Sequence, residues 1–237
     1  MRVGSRRAAV IGACCGAAAP LVLAGCQPLS QFGATTHNPP ATAYTVTGRV
    51  TTLVIKGGSG SIDVTGGNRG TVGVSEHASY GKTAPTVTHV ISGTTLTLSY
   101  SCPSEFVCGV SYDVQVPRGV AVQVSTAAGP ITLTSLAGPV SARTSAGLIT
   151  GISLSSPTAT LKSNAGGINA TFSAAPSSVH ATTNVGPISL AVPGSTAYQV
   201  STHAYVGSST VTVPKSASSP HVISANSDLG SITISPS

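Results

Sequence analysis

The sequence predicts an all-β solenoid, and three observations carry that expectation. Only 7% of the 237 residues are charged and 4% aromatic, with no Trp, one Met and 27 Gly, so a core drawn from a 41% hydrophobic chain must be built of Val, Ile, Leu and Ala. Such a composition suits strands. A glycine-centred unit then recurs: AGPI at 128 to 131, AGLI at 146 to 149, AGGI at 165 to 168, VGPI at 185 to 188, VGSS at 206 to 209 and LGSI at 229 to 232. Around each of these glycines apolar and polar residues alternate with a period of two, the mark of strands with one buried face.

The first element is an address. Met1 to Arg7 is basic, Ala8 to Val22 is apolar and small, and Leu23-Ala24-Gly25-Cys26 closes the segment. This resembles the signal peptide and lipobox of bacterial lipoproteins. The resemblance implies that residues 1–25 are removed and that the Cys26 thiol carries a diacylglycerol, the small residues before it giving the peptidase access to the backbone. The apolar stretch is also short for a bilayer core, which needs ~20 residues. Ser5-Arg6-Arg7 partly resembles a twin-arginine export signal, although Ala9 stands where a bulky residue is expected, and both export routes stay open. The expected location is the extracytoplasmic face of the cell membrane, lipid-anchored.

Residues 26–43 form the next element, the lipidated Cys and a tether. Gln27 to Ala43 is polar, contains Pro and has no period, as an exposed linker should. Fully extended, it reaches at most ~55 Å.

Residues 44–237 form the domain. The glycine anchors are Gly129, Gly147, Gly166, Gly186, Gly207 and Gly230, with steps of 18, 19, 20, 21 and 23 residues, a period that signals stacked repeats. Seven residues before the anchor stand Val122, Val140, Ala159, Val179, Val200 and Ile223, and two after it Ile131, Ile149, Ile168, Ile188, Ser209 and Ile232. Each unit therefore reads as strand, bend at Gly, strand. A recurrent Gly at one place implies positive φ or close approach between units. An earlier segment, LVIKGGSGSIDV at 53 to 64, fits the same frame around Gly60, and residues 70 to 118 read as longer strands with less regular loops. Stacking in chain order would place Thr182 beside His203, and Arg143 beside Lys162 as a small basic ladder.

SGSIDV, YDVQVPRGVAVQVSTAAGPITL at 112 to 133 and the later Gly-x-Ile units, including AGGIN at 165 to 169, resemble the putative-adhesin family of bacterial envelope proteins, a domain of unknown function related to the head GIN adhesin domain. The resemblance spans about residues 44 to 237. It implies a parallel β-helix-like solenoid and no catalytic residues. Ser209, where Ile is expected, and the lengthening final steps depart from an ideal array.

Composition and motifs exclude several functions. The formal charge of +6 loses Arg2, Arg6 and Arg7 with the signal, and the remaining eight basic and five acidic residues are scattered, so no nucleic-acid stripe exists. Sugar-cleaving β-helices and calcium repeats need several carboxylates, and no acid lies between Asp113 and Asp228. Asp63 and Asp113 are expected at outward positions. The six His lack metal spacing, and no nucleophile elbow precedes a helix. No catalytic, metal or cofactor site is expected. Cys102 and Cys108 remain as a pair after the signal is gone and Cys26 is acylated. Oxidising export favours a disulfide between them, contributing ~2 kcal/mol in the chain-entropy model. The expected role is a non-enzymatic binding or structural module of the envelope, with membrane contact through the Cys26 lipid and a cell-wall glycan or envelope protein as partner. Its rivals are a carbohydrate-active β-helix enzyme and an accessory lipoprotein of a signalling or transport system.

Overall fold

The computed structural model describes residues 36–103 and 107–237. The expected signal peptide, Cys26 and most of the tether lie outside the described residues. The described chain forms nineteen strands and no helix. Seven come first: β1 (Thr42–Val46), β2 (Thr52–Lys56), β3 (Ile62–Gly67), β4 (Val72–Tyr80), β5 (Thr86–Ser92), β6 (Thr95–Ser101) and β7 (Cys108–Pro117). The glycine units supply the rest in pairs: β8 (Ala121–Ala128) with β9 (Ile131–Thr134), β10 (Val140–Ala146) with β11 (Ile149–Leu154), and β12 (Thr158–Ala165) with β13 (Ile168–Phe172). The last pairs are β14 (Ser178–Val185) with β15 (Ile188–Val192), β16 (Gln199–Val206) with β17 (Ser209–Val211), and β18 (Val222–Leu229) with β19 (Ile232–Pro236).

Within each pair the chain crosses from one sheet to the other at the glycine. The first strands of the pairs lie in a nine-stranded sheet ordered β16-β18-β14-β12-β10-β8-β2-β6-β5, and the second strands in a ten-stranded sheet ordered β1-β4-β7-β3-β9-β11-β13-β15-β19-β17. Neither sheet closes. The glycine units pair in parallel, which sets like residues over like. Ile62, Ile131, Ile149, Ile168, Ile188 and Ile232 share one inward register row of the ten-stranded sheet, and all six are buried. Leu96, Leu53, Val122, Val140, Ala159 and Val179 do the same in the other sheet. Burying rows of aliphatic side chains removes apolar surface at roughly 25 cal/mol per Å², and no single unit can bury its face alone.

The bends explain the glycines. Gly147 has φ +156°, and a Cβ there would run into the carbonyl oxygen of Gly129 one unit back; Gly166 meets Gly147 in the same way. Three residues before four of these bends stands a buried hydroxyl that satisfies this inward carbonyl. Thr144 donates to Gly129 O at 3.3 Å, Ser163 to Gly147 O at 3.0 Å, Thr183 to Gly166 O at 2.8 Å and Ser227 to Gly186 O at 3.0 Å. A buried acceptor left unpaired would cost about 1–3 kcal/mol.

Stacking in chain order fails at both ends. β18 and β19, last in sequence, insert between β14–β15 and β16–β17, while β2 and β3 insert between β6–β7 and β8–β9. The fifth glycine unit is therefore the outermost. Its inward positions face one neighbour only, which accounts for the half-exposed Thr202 and the exposed Ser209 where other units carry buried apolar residues. The loop after β17 folds back, with Tyr198 N donating to Pro214 O at 2.9 Å and Ser216 N to Tyr198 O at 2.9 Å. Pro214 and Lys215 thus cover the start of β16, a common way of blunting a sheet edge.

The other end is closed by the antiparallel strands β1, β4 and β7 in one sheet and the β5–β6 hairpin in the other. Pairing begins before the expected end of the tether. His37 N donates to Tyr80 O at 2.8 Å and Tyr80 N to His37 O at 3.1 Å, with the two rings stacked at 5.5 Å.

Candidate interaction surface

Because side chains alternate along each strand, the rows between the inward ones face solvent. On the ten-stranded sheet one outward row runs through Ser75, Asp113, Asp63, Thr132, Thr150, Asn169 and Ser189, then Thr233 and Thr210. Neighbouring strands lie about 4.8 Å apart, so this is a ladder of hydroxyls and amides with two carboxylates near one end. Asp63 and Asp113 are direct register partners, Asp63 half-buried and Asp113 exposed. Strand alternation places both outward, and the parallel pairing of β3 with β7 sets them side by side across 50 residues of sequence. Beside Asp113 lies a shallow, open depression of about 320 Å³ lined in part by Tyr44, Arg69, Ser75 and Gln115.

The nine-stranded sheet carries the complementary row. Lys56, Ser125, Arg143, Lys162, Thr182, Asn226 and His203 follow one another in register. The expected alignment of Arg143 with Lys162 on neighbouring strands is present. The third cation, Lys56, escaped the sequence because its strand is inserted beside Ser125, 69 positions later. The expected pairing of Thr182 with His203 is corrected: Asn226 of the inserted β18 separates them. His180 is likewise in register with Ser224, two strands from Ser201 of β16.

Among the described residues no group of three or more His, Cys, Asp and Glu side chains converges as a metal site would require. Cys102 and Cys108 are disulfide-bonded, their Cα atoms 5.9 Å apart. Tyr198 is buried, donating its hydroxyl to Pro193 O at 3.0 Å, whereas Tyr205 is 79% exposed on the outermost strand.

The closed end holds a polar cluster that the sequence did not announce. Tyr44 donates its hydroxyl to the buried Glu76 at 2.7 Å. Burial, reinforced by that hydrogen bond, pushes the Tyr44 phenol well above its ordinary range. Tyr112 is buried beside it, and its hydroxyl has no hydrogen-bond partner. Burial, with the nearby Glu76 carboxylate, raises its phenol too. The alternation of β4 places Glu76 inward, which could have flagged it.

With this geometry in view, the solved structures supply a comparison. The chain is similar to bacterial proteins described as adhesins. A putative cell adhesion protein from Clostridium sporogenes is 11% identical, with 84% of this chain and 100% of that one covered and a TM-score of 0.47. A putative adhesin from Bacteroides fragilis is 14% identical over 83% and 97% of the two chains, with a TM-score of 0.46. A putative adhesin from Parabacteroides distasonis is 9% identical over 83% and 97%, with a TM-score of 0.32. No protein-family model matches the sequence, and no curated protein does. Nothing about function follows from a likeness this distant.

Proposed function

We propose that the protein is a lipid-anchored, extracytoplasmic module whose domain is a parallel two-sheet solenoid that works by surface binding rather than catalysis. The observation that carries this reading is the pair of outward ladders. The ten-stranded sheet presents neutral hydroxyl and amide groups at one strand spacing over most of its width, the nine-stranded sheet intersperses them with cations, and such arrays suit repeated weak polar contacts to an extended partner. Catalytic sites place a few convergent groups in a concavity instead. The anchoring half rests on the lipobox at Cys26. Expression of the full-length chain and of Cys26→Ser, followed by detergent phase partitioning and mass measurement of the N-terminus, tests it. The native chain should enter the detergent phase as a diacylated form beginning at Cys26. Unchanged partitioning in the variant would overturn the anchor.

One observation favours the enzymatic rival. Asp63 and Asp113 stand side by side, and paired carboxylates are what glycoside hydrolysis uses. They sit on an open sheet face rather than astride a cleft. Assay of Asp63→Ala and Asp113→Ala for sugar release separates the two readings.

A further inference from the structure

The nine-stranded sheet concentrates cations in one place. Of the eight Lys and Arg residues after the signal segment, Lys56, Arg143 and Lys162 fall in a single outward row, all exposed. Arg143 and Lys162 occupy adjacent strands, and Lys56 lies one strand beyond the intervening Ser125. No carboxylate shares the row. The row continues to His203 across six strand steps, about 29 Å at ordinary strand spacing. The parallel row two residues back is hydroxyl- and amide-rich, for example Gln123, Ser141 and Thr160, and between Lys56 and His203 its single aliphatic member is Val54.

We infer that this face binds a linear anionic polysaccharide laid across the strands, an inference that rests on the binding-module reading above and names its partner class. The charge row supplies the sign. Its length favours an extended chain over a compact anion. The flanking hydroxyls and amides match a polymer that carries hydroxyl groups of its own. A lipid surface fits less well, because the exposed large apolar side chains of this sheet, among them Val90, Val185, Tyr205, Val206 and Leu229, lie on strands other than those that carry the three cations. Lys56 makes the inference specific, since it joins the row only through the inserted β2.

The full-length protein in neutral detergent should be titrated with polygalacturonate, with neutral dextran and with phosphatidylglycerol vesicles. Polygalacturonate is expected to bind, more weakly as salt rises. Arg143→Glu with Lys162→Glu should weaken it about tenfold or more, and Lys56→Glu should act in the same direction, with circular dichroism unchanged. The charge-matched pair Arg49→Glu with Arg118→Glu, in the β1–β2 and β7–β8 connections and outside this row, should leave binding near the native level. Equal loss in that control pair, or tighter binding to the vesicles than to polygalacturonate, would overturn the inference. Equal binding to dextran would overturn it while sparing the binding-module reading. Binding to none of the three would count against both.

Discussion

Ser227 donates its hydroxyl to the Gly186 carbonyl at 3.0 Å, although 41 residues separate them. The hydrogen bond exists because β18 stacks directly on β14. Ser163 makes the same contact with the preceding unit at Gly147. The outermost unit lacks it, since Ala204 occupies the equivalent place, in register with Ser227. Ser163→Ala should cost about 1–3 kcal/mol by stranding a buried carbonyl. Ala204→Ser should add about 0.5–1 kcal/mol by supplying the missing donor to Gly230. Urea unfolding of the two variants beside the native chain measures both, and a loss in the second would contradict the proposed geometry.

The insertion of the last unit can be read directly by cross-linking. His203 and Asn226 are register partners, so their Cα atoms lie about 5 Å apart, within reach of a disulfide. Thr182 and His203 are two strands apart, about 10 Å. Asn226→Cys with His203→Cys should oxidise to a peptide-mapped cross-link, and Thr182→Cys with His203→Cys should not. The reverse pattern would restore stacking in chain order.

Much of the repeat was legible because its signals are local. The glycine offsets, the Ile two residues later and the period-two alternation all lie within twenty residues, and the observed registers follow them. Stacking order was not legible, since units with the same inward pattern fit beside one another equally well. The clues were present as apparent flaws: Ser209 and Thr202 mark a unit with one neighbour, and the 23-residue final step supplies the chain needed to fold back. A hydroxyl three residues before the bend also recurs in five of the six units, as Thr126, Thr144, Ser163, Thr183 and Ser227. Its meaning appears only when the preceding carbonyl is seen inside. The basic row was two-thirds legible, because Lys56 belongs to a distant segment.

Buried phenols at both ends of the stack should make the protein sensitive to alkali. Tyr44, Tyr112 and Tyr198 all have phenols raised above the ordinary value of 10.0, burial being the main cause in each. Groups raised in the folded state hold their contribution below the unfolded value and lose it as pH climbs further. Thermal midpoints should therefore fall as pH rises above about 10. Tyr112→Phe should blunt that fall, and by removing a buried hydroxyl without a partner it should raise stability by about 1 kcal/mol near neutral pH. A Tyr112→Phe variant less stable than the native protein would show that the hydroxyl is satisfied.

The inward Ile row should be intolerant of charge. Ile168 is fully buried between Ile149 and Ile188, so Ile168→Asp should abolish the folded state by burying a carboxylate. The outward Asp63→Ala and Asp113→Ala should leave the thermal midpoint nearly unchanged. Circular dichroism melts of the three variants suffice to compare them.

Binding without turnover is most directly tested by incubating the full-length protein with isolated cell-wall glycan and scoring both retention of protein and release of new reducing ends. Retention with no reducing ends above the protein-free control is the predicted result. Reducing ends released by the native protein, and lost in Asp63→Ala or Asp113→Ala with the fold unchanged, would contradict the account and establish the carboxylate pair as catalytic.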